Sequence, residues 1–502
     1  MRTIFSLVLW LLCPVFLTGQ DEVPEPIPFS IEEVVTFGDT GFVVVAFDDV
    51  ERPKKMRLQF FDMAENLLAN QTYSLERRDL GVQIEGIFAW NGRLSVLSSL
   101  YYPGPKRNHL IFTQYDVPSL ERASTELIDE AFTPGLYRVP FGYSISPDSS
   151  RIAFYGWSYS LPEDPPRISV RVLDLNLETV WEQRYLLPYR NEAFYVYGCI
   201  LDEDGRVYLT CENYTGTLGR YARINENRIQ RLIYYLLPGQ ANPKPFLIDN
   251  GKNNIADVKF RLDEKRGGIV GAGFYRRGNR TTYEGIFTVR FNGISGKSSQ
   301  HLIPIDKDIY QRAYGYREEE AGLNPNRYPF AEYFLSDFFL QEDGSLKLVA
   351  EQVIERASAF PPILYNDIMV IRMSDPSQID WIMRIPKRQE GFWEDDPFFS
   401  YSLIRENSEL VFFFNDDPDN HLKPRPRRLN TYTPDEKTAL VLARLSDEGL
   451  LYTENIREKL PLEEGFRLLP RLFWKLETAR AICYGEKTAG GASIGKLFTF
   501  EW

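Results

Sequence analysis

Cysteine and histidine are scarce in this chain of 502 residues, with four of the first and three of the second. Removing a leader peptide that carries Cys13 would leave Cys199, Cys211 and Cys483, an odd and low number that excludes a disulfide framework. Cys199 and Cys211 fall on the two arms of one expected hairpin. With "DEDG" (202–205) as its turn, Cys211 comes opposite position 196 rather than Cys199, so the three thiols are expected to be small buried hydrophobes. The histidines are His109, His301 and His421. The first two lie in expected strands and the third has no serine or cysteine motif beside it, which argues against a catalytic triad or a zinc site. A basic stripe is also missing. The net charge is −12, unlike that of a protein that grips a nucleic-acid backbone. Capped amphipathic helical stretches of 10–15 residues are absent, and beyond the N-terminus no run is long and apolar enough to span a membrane.

The N-terminus reads as a leader. Arg2 precedes "IFSLVLWLL" (Ile4–Leu12), a short apolar run, and a cleavage point is expected near Gly19, before Gln20. Leu12 stands where a lipidated Cys13 would need a small residue. The expected division is therefore a signal peptide at 1–19 and one domain at 20–502. The expected location is the periplasm or cell surface of a bacterium. Asn70, Asn213 and Asn279 head Asn-x-Thr sequons that would matter only in a eukaryotic secretory route.

What the chain does have is aromatic residues, 34 Phe, 29 Tyr and 8 Trp, and these suit half-buried pleated sheets. It also repeats itself. "LQEDGSLKLVAE" (Leu340–Glu351) is an apolar strand end, an acidic turn and an alternating strand. Seven segments share the pattern: Thr36–Phe47, Phe88–Ser98, Ser146–Gly156, Leu201–Cys211, Leu262–Gly273, Arg405–Phe414 and Trp474–Gly485. Each hairpin is followed by a third alternating strand: Met56–Phe61, His109–Tyr115, Ile168–Leu175, Gly219–Asn225, Gly285–Phe291, Asp367–Met373, Ala439–Leu445 and Ile494–Phe500. Weaker fourth strands follow, such as Thr179–Leu187, Ile229–Leu237 and Asp380–Pro386.

Four antiparallel strands, recurring every ~50–80 residues, spell an all-β fold, a single β-propeller. The count gives eight blades, with seven as the alternative. The last unit lacks a fourth strand, so the N-terminal segment Val23–Ile31 is expected to supply it and close the ring. "SPDSSRIAF" (Ser146–Phe154) resembles the WD40-like repeat of TolB-type and peptidase propellers, which implies the same fold. The chain is also similar in style to uncharacterised exported propellers of bacterial envelopes. It lacks the Trp-Asp ending of WD40 blades, the Ser-x-Asp-x-Gly-x-Thr-Trp box of sialidases and the tryptophan docking motif of quinoprotein dehydrogenases.

In such a blade the first-to-second and third-to-fourth turns share one face, and all other connections share the opposite face. The first set is short here, as in Asn176–Glu178, Glu226–Arg228 and Ser446–Gly449. The second set is long: Trp157–Pro166, Asp306–Glu332, Gln352–Asn366, Lys387–Pro397 and Asn415–Thr438. Long loops on a rigid scaffold are where binding concentrates. The candidate partner-binding residues are Tyr314, Tyr316, Arg317, Phe392, Trp393, Asp395 and Asp396, since Trp, Tyr and Arg dominate hot spots. No catalytic residue, metal or cofactor is expected. "FFNDDPDN" (Phe413–Asn420) reads as a solvated Asx turn rather than a Ca²⁺ site, and "GGIVGAG" (Gly267–Gly273) as strand rather than phosphate loop. The expected function is a non-catalytic exported scaffold that binds a protein partner in the cell envelope, such as an outer-membrane transport or secretion complex. The alternative is a carbohydrate-binding or carbohydrate-active propeller using the aromatics and the carboxylate pair on the same face.

Overall fold

A computed structural model describes residues 11–12, 30–49, 52–75, 81–132, 141–158, 165–190, 193–214, 229–248, 251, 253–277, 282–305, 333–355, 362–392, 398–420, 429–434, 438–457, 466–477, 480–489 and 492–501. Its strands form eight separate sheets in chain order. Blade 1 runs Ser30–Thr36, Phe42–Phe47, Lys55–Phe61 and Leu67–Ser74, and blade 2 runs Val82–Trp90, Arg93–Tyr102, Arg107–Tyr115 and Arg122–Phe132. Blade 3 comprises Phe141–Ile145, Arg151–Ser158, Arg167–Asp174 and Thr179–Leu186; blade 4 comprises Phe194–Leu201, Val207–Tyr214, Ile229–Leu236 and Pro245–Leu247. Blade 5 is Asn253–Leu262, Ile269–Arg277, Gly285–Phe291 and Ser298–Pro304. Blade 6 is Tyr333–Leu340, Leu346–Glu355, Ile363–Met373 and Trp381–Ile385, and blade 7 is Ser402–Glu406, Glu409–Asp416, Ala439–Leu445 and Leu451–Asn455. Blade 8 has Arg467–Glu477, Arg480–Ala489 and Ala492–Glu501.

The ring is closed by its cores. A separate apolar cluster fills each of the eight seams between neighbouring blades. Blades 1 and 2, for example, share Val45, Leu58, Leu94 and Val96, and blades 3 and 4 share Val170, Trp181, Val207 and Leu209. The seam between blades 8 and 1 is filled too, where Leu476 and Ile482 meet Val34, Phe42 and Val44. Across it Trp474 Nε1 donates to Glu33 Oε1 at 2.6 Å. With every seam occupied, the alternative of seven blades is excluded. Second strands are buried on both faces because blades pack on either side; Phe42–Phe47 is buried at every position, with Val43, Val45 and Phe47 toward blade 2 and Phe42 and Val44 toward blade 8.

Three sequence expectations are corrected. Ile31 belongs to the first strand of blade 1, and the strand beside Ala492–Glu501 is Leu11–Leu12, paired in parallel, while Val23–Phe29 lie outside the described residues. An N-terminal segment does lie on the last blade, but it is a different one. Ile229–Leu237, read as a fourth strand, is the third strand of blade 4: residues 229–236 pair with the whole of Val207–Tyr214, and Pro245–Leu247 is the fourth. Gly219–Asn225 and Glu226–Arg228 lie outside the described residues. Much of Gln352–Asn366 is strand rather than loop, since Val353–Glu355 pairs with Ile363–Tyr365.

Cys211 does stand opposite Val196, with Cys199 opposite Leu209, and no disulfide joins them. The turn is one residue longer than "DEDG", ending at Arg206, and a β-bulge at Tyr197 restores the register. Bulges recur in the inner strands, between Ile31 and Glu33, Ile84 and Gly86, Ala256 and Lys259, and Leu335 and Asp337. Each bends the innermost strand and re-aims a side chain near the ring axis.

Candidate functional site

The two faces of the ring are built differently. On the short-turn face the hairpins are locked by their own aspartates. Asp174 Oδ1 accepts from the amides of Asn176 and Glu178, and Asp202 Oδ1 accepts from that of Arg206. Tryptophans then staple three of the blades to the next blade's turn. Trp90 Nε1 donates to the Ser149 carbonyl at 3.1 Å, Trp181 to Gly205 at 2.8 Å and Trp381 to Asp447 at 3.2 Å. Lys347, 1% exposed, reaches the Ser408 carbonyl at 2.5 Å and Asp447 at 2.7 Å. Although burial works the other way, Lys347 and Arg372 hold the Asp447 carboxyl below its usual range. Polar groups on this face are turned toward one another.

The longest connections leave the opposite face. They include 215–228 within blade 4, 305–332 between blades 5 and 6, 386–401 between blades 6 and 7, and 417–438 within blade 7. Of the residues expected to bind a partner, Tyr314, Tyr316, Arg317, Trp393, Asp395 and Asp396 lie outside the described residues. Phe392 is described and is 54% exposed. It follows a fifth strand of blade 6, Gln389–Gly391, which pairs with Ile363–Tyr365. The segment Lys387–Pro397 is thus partly sheet, so Phe392 is displayed from a rigid base. The isolated bridge between Gln389 and Tyr432 ties that strand to the blade 7 excursion, with Glu390 N donating to the Tyr432 carbonyl at 3.0 Å.

Beneath this strand sits a polar ring that the sequence did not announce. Lys387 Nζ lies 2.6 Å from Glu351 Oε1 and donates to Gln389 Oε1 at 2.9 Å. Gln389 Oε1 also accepts from Ser400 N at 2.8 Å, and Ser400 Oγ donates to Glu351 Oε2 at 2.6 Å, closing the ring. Gln389 Nε2 donates to the Asn415 carbonyl at 2.7 Å, and Asn415 Nδ2 reaches the Leu468 carbonyl of blade 8 at 2.8 Å. Lys387, Gln389 and Asn415 are essentially inaccessible to solvent. Burial lowers the Lys387 ammonium from its ordinary value, and Glu351 opposes that. Asp367, paired with Arg384, is raised by its burial.

The Asx turn expected at Asn415–Asn420 is present but largely buried. Asn420 Nδ2 donates to Asp416 Oδ1 at 2.7 Å, and Asn420 Oδ1 accepts from Asn430 N at 2.7 Å. Asp416 is 3% exposed, and its burial lifts its carboxyl to about 7. Its neighbours are Lys387 and Asp417, and the hydrogen bond from Asn420 holds the value down. Among the described residues no group of three or more His, Cys, Asp or Glu side chains could hold a metal ion. The chemistry on view is anchoring: buried charges and amides from blades 6, 7 and 8 fix the bases of two excursions side by side. No local signal marks them, since Glu351 keeps to the alternation, on the side opposite Leu346, Leu348 and Ala350.

No family model and no curated protein matches this chain. Among solved structures it is similar to the β-propeller domain of the Trilobed protease from Pyrococcus furiosus, at 10% identity and a TM-score of 0.36, covering 85% of this chain and 95% of that one. It is similar to an oligogalacturonate lyase solved with manganese, at 10% identity and a TM-score of 0.37, covering 84% and 97%. The acylaminoacyl peptidase of Pyrococcus horikoshii gives 9% identity and a TM-score of 0.37; the match covers 91% of this chain but only 58% of the peptidase. At such values no activity passes from these proteins to this chain.

Proposed function

We propose that this propeller is a non-catalytic exported scaffold whose loop-rich face binds a protein partner in the bacterial cell envelope. The observation that carries the reading is the asymmetry of the faces. One is sealed by aspartate-capped turns and tryptophan staples, while the other carries the long connections and the exposed Phe392 on a braced strand. An exposed aromatic side chain on a rigid base suits a hot spot, because little side-chain freedom remains to be lost on binding. The partner class that fits is a subunit of an outer-membrane transport or secretion complex, reached after removal of residues 1–19.

The test is crosslinking and capture from native envelope membranes, using wild type and Phe392→Ala, Trp393→Ala and Arg317→Ala variants. One specific protein recovered with wild type and lost in at least one variant of unchanged melting temperature supports the reading. Recovery of the same protein by all variants, or secretion-independent localisation of the chain to the cytoplasm, overturns it.

A further inference from the structure

Blade 5 breaks the paired pattern of the short-turn face. Its two turns, 263–268 and 292–297, flank a groove of about 260 Å³. Asn292 ties the turns together. Its Nδ2 donates to the carbonyls of Arg266 at 3.2 Å and Gly267 at 3.1 Å, and its Oδ1 accepts from Ser295 N at 2.8 Å. The apolar part of the lining is Ile269 and Phe291, both buried. The rest is basic and hydroxylic: Arg266, Arg290 and Lys297, with Ser298 and Ser299.

Two of these cations are held in place by Gly344, in the first turn of blade 6. Arg290 Nη2 donates to the Gly344 carbonyl at 3.2 Å, whereas between blades 3 and 4 the carbonyl of Gly205 takes the Trp181 indole. Arg266 packs on the same glycine, for a Cβ at Gly344 would stand 3.1 Å from its Nη2 and 3.3 Å from its Cζ. Two like charges are thus held at one residue, and an anion joining them would relieve their repulsion. Among the described residues neither Arg266 nor Lys297 forms an ion pair. The carboxylate in the lining is Asp263, which is buried; its Oδ1 accepts from Arg266 N at 3.2 Å and its Oδ2 lies 3.6 Å from Arg290 Nη1. Asp375 of blade 6 feels Arg266 at longer range, but its Oδ1 already accepts from the Ser377 amide at 2.8 Å and from the Ser377 hydroxyl. Three lining cations against one lining carboxylate leave two positive charges over, on a chain whose net charge is −12.

From this arrangement we infer that the blade 5 groove binds a phosphate monoester. Such a group carries about −1.5 to −2 charge at pH 7, which matches the surplus. Its three terminal oxygens can serve two guanidinium groups and an ammonium together, whereas a carboxylate has only two. The serine hydroxyls can donate to the same oxygens. The groove falls just short of the ~300 Å³ at which small-molecule pockets begin, so the esterified group is small or projects into solvent. A glycerol phosphate and a phosphatidic acid head group share that chemistry. The groove lies on the face opposite Phe392, so this reading and the partner-binding reading fail independently.

The experiment is calorimetric titration of the full chain with glycerol 3-phosphate, with glycerol as the blank, and flotation with phosphatidylcholine vesicles with and without phosphatidic acid. At least one of the two monoesters should bind saturably and its uncharged or diester blank should not. Arg266→Gln and Lys297→Gln, both at exposed positions, should each weaken binding about tenfold at unchanged melting temperature, the worth of one charge-assisted hydrogen bond. Lys265→Gln is the control, since it removes the same charge from the same turn. Lys265 is exposed and lies 3.9 Å from Glu342 instead of lining the groove, so its loss should change binding less than about twofold. Binding of glycerol 3-phosphate supports the site and makes the ligand a free ester; binding of phosphatidic acid vesicles alone supports it and makes the ligand a lipid head group. Failure of both monoesters to bind overturns the inference. So does binding that survives Arg266→Gln and Lys297→Gln, or binding that Lys265→Gln weakens as much as they do, which would mark general charge attraction.

Discussion

Replacing Asp416 by Asn should stabilise the protein at pH 8 and do nothing useful at pH 4. The Asp416 carboxyl is 3% exposed and raised by burial from the model-peptide value of 3.8 to about 7. A carboxyl whose folded value lies above its unfolded value binds its proton more tightly when folded. Its contribution is then fully present below pH ~4 and is lost as the pH rises through about 7. A shift of roughly three units at 1.36 kcal/mol each sets an upper bound of ~4 kcal/mol on the loss. The proximity of Lys387 shares part of that, so about 1–3 kcal/mol is the expected gain from Asp416→Asn at pH 8. Asparagine keeps the Oδ1 that accepts from Asn420 Nδ2 and Asp417 N, so the Asx turn survives. The other titratable groups facing the site, Lys387, Glu351, Asp367 and Asp417, remain in both proteins. Chemical denaturation at pH 4.5, 6, 7 and 8 reads the effect as a difference between the two pH curves. Equal stability changes at pH 4.5 and 8, or a larger deficit for the variant at pH 8, would refute the assignment of Asp416 as a buried acid.

Lys387→Ala should cost about 3–5 kcal/mol by leaving Glu351 buried and unpaired, whereas the double variant Lys387→Met/Glu351→Gln should recover most of it; denaturation midpoints read both. Trp381→Phe should cost about 1 kcal/mol by removing the indole bond to the Asp447 carbonyl across the blade 6–7 seam, seen as a lower melting temperature with unchanged far-UV spectrum. Gly268→Ala should destabilise by more than about 2 kcal/mol, since φ is +98° there and a Cβ would stand 2.2 Å from the Phe291 carbonyl oxygen. A Gly104→Ala control, where a Cβ meets nothing within 4 Å, should be near neutral in the same melts.

The blades were legible because their signals are local. Period-two alternation and Asp-Gly turn chemistry act over ten residues, and all eight hairpins fall where those signals put them. Where two apolar stretches competed for one place the sequence could not choose. In blade 4 both Gly219–Asn225 and Ile229–Leu237 alternate acceptably as a third strand. The structure gives the role to Ile229–Leu236, whose Leu232, Ile233, Tyr234 and Tyr235 are buried and serve both neighbouring seams. The N-terminal segment on the last blade was misplaced for a similar reason. A two-residue pairing such as Leu11–Leu12 against Ser493–Ile494 has no pattern to detect.

The polar sites were hidden for a different reason. Lys347, Glu351 and Lys387 look like solvent-facing residues when each is read alone, and such side chains are seldom buried unless paired. Their partners are Asp447 from blade 7 for the first and one another for the rest, joined across gaps of 100 and 36 positions that no local pattern spans. The same holds for Arg231 and Glu212, which pair directly across adjacent strands but meet Asp257 only because blade 5 is stacked on blade 4. A propeller separates these two kinds of information cleanly. Each blade is specified by itself, and everything that happens at a seam depends on which blade comes next. The sequence is therefore read most easily where the protein does least. What the seams hold, such as the Lys387–Glu351 pair and the bond from Asn415 to the Leu468 carbonyl, is specified only once neighbouring blades are stacked, so it is there that single substitutions have effects no local pattern foretells.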